Sequence, residues 1–137
     1  MPNLKEKILI ADDEESIRFG LTELLKADGY QVGTARNGHE TLEKLKQDDY
    51  DLLLADLKMP KLDGLQILDM IRRENILTEV IIITGKGSIA TAVEAMKSGA
   101  YDYLTKPVEP DRLRTIIPKA LEHHQLLISH KQLEFQI

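Results

Sequence analysis

The amino-acid sequence predicts an α/β fold, a doubly wound parallel sheet of five strands accompanied by five helices. Short apolar runs, each bounded by turn signals, alternate along the chain with segments whose apolar residues recur at helical spacing. Apolar runs of this length are typical of parallel strands that are buried on both faces. Five alternating strand and helix units therefore predict one sheet with right-handed crossovers.

The first third of the chain contains two such units. A strand is predicted at residues 4–11, and a helix at 15–27 follows it with Gly29 as its stop signal. A second, weaker strand is predicted at 30–34 and a second helix at 38–46. Both helices carry one apolar stripe, as expected of helices that cover a sheet face.

The middle of the chain contains the third unit and the fourth strand. Residues 51–55 form the third predicted strand, and Pro60 and Gly64 bracket the loop after it. The helix that follows has its buried face at helical spacing, made of Leu65, Ile67, Leu68 and Ile71. Residues 80–83 form the fourth predicted strand, which is purely β-branched and is therefore predicted to be central.

The remaining elements complete the alternation. Ser88 is the predicted cap of a helix at 89–96, which ends at Gly99. Residues 101–104 form the fifth predicted strand, and the last helix begins near Pro110. No repeat or low-complexity stretch interrupts this order, so most of the chain is predicted to be a single domain.

Composition excludes several classes of protein. The 137 residues carry a net charge of −5, with no cysteine and no block rich in lysine and arginine. Direct nucleic-acid binding, disulfides and thiolate metal sites are therefore not expected. No apolar run approaches the ~20 residues of a membrane span, and the amino terminus lacks the apolar core of a signal peptide. We expect a cytoplasmic protein.

Polar residues follow four of the predicted strands at their carboxyl ends. These residues are Asp12, Asp13, Asp56, Thr84 and Lys106. Because ligands of open parallel sheets bind in the crevice beyond that edge, the five residues are expected to form one site. Three crowded carboxylates need a cation, and an ammonium beside a hydroxyl suits an anion such as phosphate. The sequence therefore predicts a site for a divalent metal and a phosphoryl group.

Short motifs around these residues resemble one known family. The motifs are Asp12-Asp13, Asp56 followed by Met59-Pro60 and Asp63-Gly64, Thr84-Gly85, and Thr105-Lys106-Pro107. From about residue 8 to residue 121, the chain is similar to the receiver domains of bacterial two-component response regulators. The resemblance implies a flavodoxin-like sheet with strand order 2-1-3-4-5.

The resemblance also implies a phosphoryl-accepting role for Asp56. Its carboxylate would attack the phosphorus of a phosphohistidine on a sensor histidine kinase. A Mg²⁺ (or Mn²⁺) ion would be held by Asp13, Asp56 and the backbone carbonyl of Lys58, with Asp12 acting directly or through water.

By the same resemblance, other residues would bind the phosphoryl group and change conformation once it is attached. Thr84 would donate its hydroxyl to the group, and Lys106 would form an ion pair with it. Thr84 would thereby vacate a space that Tyr103 fills, which reshapes the face of the fourth helix, fifth strand and fifth helix. Lys58 and Lys86 would flank the site and tune the access of water. The expected output is altered oligomerisation that controls transcription.

Three segments carry information about the subtype. Residues 84–88, 95–103 and 107–113 resemble the receivers of nitrogen-regulation-type activators, which are sigma-54-dependent and carry an AAA+ ATPase domain. An AAA+ output domain is therefore expected in the full-length protein. We assign residues 1–123 to the receiver and residues 124–137 to a helical extension toward that domain.

The helical extension leaves alternatives open. Leu127, Ile128 and Phe135 are candidate contacts of a homodimer, whose other candidate surface is the face of the fourth helix, fifth strand and fifth helix. A frayed tail is the remaining alternative. Pro118 is predicted to kink the last helix or to break it near Arg114.

Two other functions remain open at this stage. One is a Mg²⁺-dependent, phosphatase-like enzyme with Asp56 as nucleophile, and the other is a stand-alone receiver that acts by protein binding. Against the enzyme, Lys58 stands where a second carboxylate would be needed. We therefore expect no enzymatic activity beyond the chain's own phosphoryl transfer and dephosphorylation. Histidines without metal-ligand spacing are predicted to be solvated, namely His39, His123, His124 and His130.

Overall fold

A computed structural model of the protein describes residues 6–85 and 89–136, with side chains up to Lys131. The described residues form a parallel sheet of five strands in the order β2-β1-β3-β4-β5. The strands are β1 (Lys7–Ala11), β2 (Gln31–Ala35), β3 (Leu52–Asp56), β4 (Glu79–Thr84) and β5 (Asp102–Thr105). The predicted fold class and strand order are confirmed.

Helices cover both faces of this sheet. They are α1 (Glu15–Ala27), α2 (Gly38–Gln47), α3 (Gly64–Arg73), α4 (Ile89–Lys97) and α5 (Pro110–Gln136). Leu25 of α1 and Ile117 of α5 belong to the core cluster on one face. Leu42 of α2, Ile67 of α3 and Ala95 of α4 belong to the cluster on the other face. Each fully buried leucine or isoleucine contributes about 1.5–3 kcal/mol, so both layers stabilise the sheet.

The start of α3 is fixed tightly against the end of β3. The Asp63 side chain accepts the backbone N–H of Gln66 at 2.9 Å, and the Gln66 side chain accepts the N–H of Asp63 at 3.0 Å, which is a capping box. A Cβ on Gly64 would lie 3.2 Å from the Asp56 carbonyl oxygen. The glycine therefore permits the close approach that holds the loop after Asp56 in place.

Strand ends differ from the predicted ends by one residue in most places. Asp56 pairs with Ile83 in the ladder, and Thr84 pairs with Thr105, so β3 and β4 each extend to the polar residue at their carboxyl end. Backbone pairing, which does not require an apolar side chain, explains the difference. The first residues of the predicted first strand and the predicted cap Ser88 lie outside the described residues.

The predicted break in the last helix is wrong, because α5 continues through Pro118 as one helix, Pro110–Gln136. Pro118 and Arg114 both lie on the exposed side of α5, where water can replace the hydrogen bond that the proline removes. On the other side of α5, Ile117 and Leu121 are buried against the sheet. Packing before and after the proline thus holds the helix together.

The prediction that the histidines are solvated is wrong for His124, whose exposed fraction is 4%. His123 is exposed over about half of its side chain but pairs with the buried Glu79. His39 and His130 are exposed, as predicted. The pattern of α5 explains the error, because position 124 continues the buried stripe of Ile117 and Leu121.

Candidate functional site

The structure brings the predicted acidic residues together at the carboxyl edge of the sheet. Asp12 and Asp13 directly follow β1, and Asp56 is the last residue of the neighbouring strand β3. One carboxylate oxygen from each of the three lies within 4.8 Å of the others. Thr84 ends β4 on the other side of β3, and Lys106 follows β5.

Asp12 is a buried carboxylate, with an exposed fraction of 1%. Its Oδ1 accepts the backbone N–H of Glu14 at 2.8 Å, and its carbonyl oxygen accepts a bond from Arg18 Nη1 at 2.7 Å. Its Oδ2 lies 3.3 Å from Lys106 Nζ, but no described residue donates a hydrogen bond to it. This oxygen therefore has an ionic contact with the ammonium but no hydrogen bond, and a bound cation would satisfy it further.

Asp56 is also buried, with an exposed fraction of 5%. Its Oδ2 accepts a hydrogen bond from Lys106 Nζ at 3.2 Å, and its Oδ1 is 3.4 Å from the backbone N–H of Lys58. Burial, followed by the nearby charge of Asp12, raises the pKa of Asp56 above its ordinary value, although Lys106 acts in the opposite direction. The ionised carboxylate is therefore held at a free-energy cost.

Lys106 supplies a cation to this acidic cluster. Its Nζ lies 3.2 Å from Asp56 Oδ2, 3.3 Å from Asp12 Oδ2 and 3.8 Å from Glu14 Oε1. Burial lowers the pKa of Lys106, but its hydrogen bond to Asp56 and the neighbouring carboxylate charges outweigh burial and raise it. Sequence reasoning missed Glu14, although its position directly after Asp12-Asp13 was a signal for it.

Thr84 is fully buried, and its hydroxyl donates to the Gly85 carbonyl oxygen at 3.2 Å. This bond is local and weak, which leaves the hydroxyl free to rotate toward another acceptor. Tyr103 is half-buried and packs against the core cluster of α2, α3 and α4. The predicted flanking residue Lys86 lies outside the described residues.

The donor set suits a hard divalent cation. Asp12, Asp13 and Asp56 offer only oxygen ligands, which is what Mg²⁺ prefers. Asp13 is exposed, so a metal there would keep part of its water shell, as Mg²⁺ usually does. The residues present therefore fit the metal that the sequence predicted, while the contribution of the Lys58 carbonyl stays a prediction.

Comparison with known families identifies the class of protein to which this fold and this acidic edge belong. Residues 8–118 match the response regulator receiver domain. The chain belongs to this family, whose members bind Mg²⁺ at an acidic pocket and are phosphorylated by histidine kinases in two-component systems.

Similar curated proteins are regulators of transcription. Over 119 residues the chain is 43% identical to "Transcriptional regulatory protein ZraR" of Klebsiella oxytoca. The aligned region covers 87% of this chain and 27% of that protein. Over 118 residues it is 37% identical to "DNA-binding transcriptional regulator NtrC" of Escherichia coli K12, covering 86% of the chain and 25% of that protein. The chain thus spans about a quarter of the length of these relatives. They confirm the resemblance to receivers of nitrogen-regulation-type activators.

Solved structures agree with the fold. A response regulator receiver domain protein from Clostridium thermocellum is 40% identical with a TM-score of 0.84, over 89% of this chain and 98% of that one. NtrX from Brucella abortus is 33% identical with a TM-score of 0.87, over 95% of this chain and 30% of that one. Within the part of the chain that the structure describes, no helix combines the length and apolar character needed to cross a bilayer.

Proposed function

We propose that the chain is a phosphorylation-activated switch in which Asp56 accepts a phosphoryl group from a sensor histidine kinase. The observation that carries the proposal is the buried Asp56 carboxylate, which shares one sheet edge with the Lys106 ammonium and the acid pair Asp12-Asp13. Incubation with acetyl phosphate and Mg²⁺, followed by intact-mass measurement, tests it. A gain of one phosphoryl group that is lost on chelation supports the proposal, and no gain contradicts it.

The transfer reaction needs a nucleophile and a stabilised phosphoryl group. An oxygen of Asp56 forms a bond to phosphorus while the phosphorus–nitrogen bond to the kinase histidine breaks, and the electron pair stays with the imidazole. Negative charge on the phosphoryl oxygens is met by the Lys106 ammonium and the Thr84 hydroxyl. Because the Lys106 ammonium already lies beside Asp56 before the donor arrives, catalysis is mostly electrostatic.

The metal in this proposal is Mg²⁺ or Mn²⁺. Asp12, Asp13, Asp56 and the Lys58 carbonyl would hold it, and the ion would neutralise charge that the carboxylates and the phosphoryl group bring together. Asp12 is held in place by the protein itself, because Arg18 donates to its carbonyl oxygen and the backbone N–H of Glu14, at the start of α1, donates to its Oδ1.

Metal binding is expected to depend on pH. Because burial and Asp12 raise the pKa of Asp56, a metal must displace a proton from this carboxyl group once the pH falls below that raised value. We expect the apparent affinity for Mn²⁺ to weaken by up to about tenfold per pH unit in that range. Titrations followed by electron paramagnetic resonance would measure it. An affinity that is independent of pH would contradict the expectation, and Asp56→Asn should weaken binding and flatten its pH dependence.

Phosphorylation is proposed to reach the output through Thr84 and Tyr103. When Thr84 turns toward the phosphoryl group, Tyr103 moves inward and changes the α4–β5–α5 face. This face has apolar side chains available for a partner, since Ile89, Val93 and Met96 of α4 are exposed at helical spacing. We propose that it forms a homodimer surface, with Leu127 on the extension of α5 as the other candidate.

The proposed context is a cytoplasmic transcription activator. An AAA+ output domain would follow the receiver in the full-length protein, and this segment would touch neither nucleic acid nor membrane. We propose that the domain catalyses only its own phosphoryl transfer and dephosphorylation. The exposed Lys58 supports this over a phosphatase, because its ammonium could not serve as the carboxylic general acid.

An apolar groove beside Lys106 is proposed to receive the kinase. It lies between α1 and the start of α5 and is lined in part by Ile17, Gly20, Leu24, Pro107 and Val108. A helix that carries a phosphohistidine could place its apolar face there and its phosphoryl group at the acidic edge.

Gly20 allows a selective test of this groove. A Cβ at Gly20 would meet no atom within 4 Å, so Gly20→Gln fits the fold and extends into the groove. We expect transfer from the cognate kinase to fall by roughly tenfold or more, the effect of a clash at an interface centre. Uptake from acetyl phosphate should not change, and stability should not fall, since glycine disfavours a helix interior. Gly20→Ala is the matched control, and unchanged kinase transfer in Gly20→Gln would remove the groove from the proposal.

A further inference from the structure

A second cluster of polar side chains lies at the amino edge of the sheet, opposite the acidic site. Its members are Glu6, Asp51, Glu79, His123 and His124. Glu79 and His124 are both 4% exposed. Phosphoryl transfer uses none of these residues, yet buried polar groups are rarely retained without partners.

His124 joins α5 to two segments of this edge. Its Nε2 contacts the backbone carbonyl oxygen of Leu77, in the loop before β4. Its Nδ1 lies 3.5 Å from Asp51 Oδ1, just before β3. The other Asp51 oxygen, Oδ2, accepts the backbone N–H of Lys7 at 2.9 Å, which ties the cluster to β1.

His123 makes a parallel connection to β4. Its Nδ1 pairs with Oε2 of Glu79, the first residue of that strand. Its ring centroid is 5.4 Å from that of Tyr101, at 45°. The backbone N–H of Glu79 in turn donates to the Asp51 carbonyl oxygen at 3.1 Å. The two histidines thus bind neighbouring and mutually bonded segments.

Among the described side chains, the second half of α5 buries little apolar surface. Among the side chains described up to Lys131, the last buried apolar one is Leu121, and the next positions on the same stripe are His124 and the half-buried Ile128. Leu126 and Leu127 point outward, with 64% and 40% exposure. Most helical stability in proteins comes from tertiary packing of one face, so a helix end that buries little apolar surface depends on anchors of another kind.

We propose that His123 and His124 form a latch that docks the extension of α5 onto the amino edge of the sheet. The latch consists of the contacts of His123 with Glu79 and of His124 with Leu77 and Asp51. Its closed state makes the extension a rigid continuation of the receiver, and its open state releases the extension as a separate segment. The inference is independent of the phosphoryl-accepting role of Asp56.

Two substitutions of His124 distinguish the loss of its hydrogen bond from the loss of its ring. A glutamine amide at position 124 can imitate the Nε2 donor and reach the Leu77 carbonyl, whereas the shorter asparagine cannot. We expect amide hydrogen exchange in residues 122–131 to quicken roughly tenfold in His124→Asn, as for one lost buried hydrogen bond. His124→Gln should stay near the parent. Gln125→Asn, at an exposed neighbouring position, controls for helix propensity.

The outcomes decide the proposal. Slow exchange in the parent and in His124→Gln, with fast exchange confined to residues 122–131 in His124→Asn, supports the latch. Equal exchange in all three proteins, or fast exchange in the parent, overturns it. If His124→Asn does not fold, His123→Ala replaces it, because His123 is about half exposed and its loss should open the same region without unfolding the core. Phosphoryl uptake at Asp56 serves as the check that the carboxyl edge is intact.

Discussion

Asp56→Asn is expected to abolish phosphoryl uptake while leaving the fold intact. The amide cannot act as the nucleophile, so the uptake falls to the detection limit and not by a partial factor. Intact-mass measurement with acetyl phosphate and Mg²⁺ checks this. Asp69→Asn is the matched control, because Asp69 is an exposed carboxylate paired only with Arg73 among the described residues. Full uptake in Asp56→Asn would disprove the assignment.

The same substitution should also stabilise the metal-free fold. The folded state holds the Asp56 proton to a higher pH than the unfolded state does, because burial and Asp12 raise the pKa of Asp56. Parent stability therefore falls as pH rises from the unfolded pKa near 4 through the raised folded value. Above that window we expect Asp56→Asn to gain on the order of 1–2 kcal/mol. Denaturant titrations with and without Mg²⁺ would measure the gain, which saturating Mg²⁺ should reduce.

Lys106→Ala is expected to lose the switch while keeping the fold. Its ammonium would be the direct link between the phosphoryl group and the start of α5, so phosphorylation-linked dimerisation should fail even where phosphoryl uptake persists. Sedimentation velocity with and without acetyl phosphate checks this. Lys119→Ala, at an exposed position on α5, is the control. Equal dimerisation in Lys106→Ala and the parent would contradict the proposed role.

A stability effect accompanies this loss. Without Lys106, the carboxylates of Asp12 and Asp56 stay buried without their shared cation, and we expect a cost of about 1–3 kcal/mol in metal-free buffer. The exposed quarter of the Lys106 side chain keeps the expected cost below that of a fully buried pair. Adding Asp56→Asn to Lys106→Ala should recover most of the lost stability. Additive effects of the two substitutions would show that the side chains are not coupled.

The sheet and its carboxyl edge could be predicted because local signals and topology agree. Apolar runs located the five strands, and parallel strands necessarily bring their carboxyl ends to one edge. That rule placed Asp12 and Asp56 together although 43 residues separate them. Exact strand ends were missed by one residue at Asp56 and Thr84, since backbone pairing continues under polar side chains.

The features that sequence reasoning missed depend on tertiary contacts. Glu14 approaches Lys106 only because the loop after β5 meets the start of α1. Pro118 was predicted, from its local cost, to kink α5 or to break it near Arg114. The break is wrong because buried residues on both sides of the proline outweigh that cost. His124 was predicted to be solvated because it is polar and lacks metal-ligand spacing, although its helical spacing from Ile117 and Leu121 places it on the buried stripe of α5. Its partners Leu77 and Asp51 are tertiary contacts.

The length of α5 matters for joining this receiver to other proteins. The match to the receiver-domain family spans residues 8–118, whereas His124, beyond it, still contacts Leu77 and Asp51. A chimaera spliced at residue 118 would replace these partners by whatever sequence follows and would leave the buried carboxylate of Glu79 without His123. Splice points after residue 128 keep the contacts of His123 and His124 and the half-buried Ile128 with the donor. The part of the chain that can be exchanged in a chimaera therefore begins no earlier than one helical turn after the histidines.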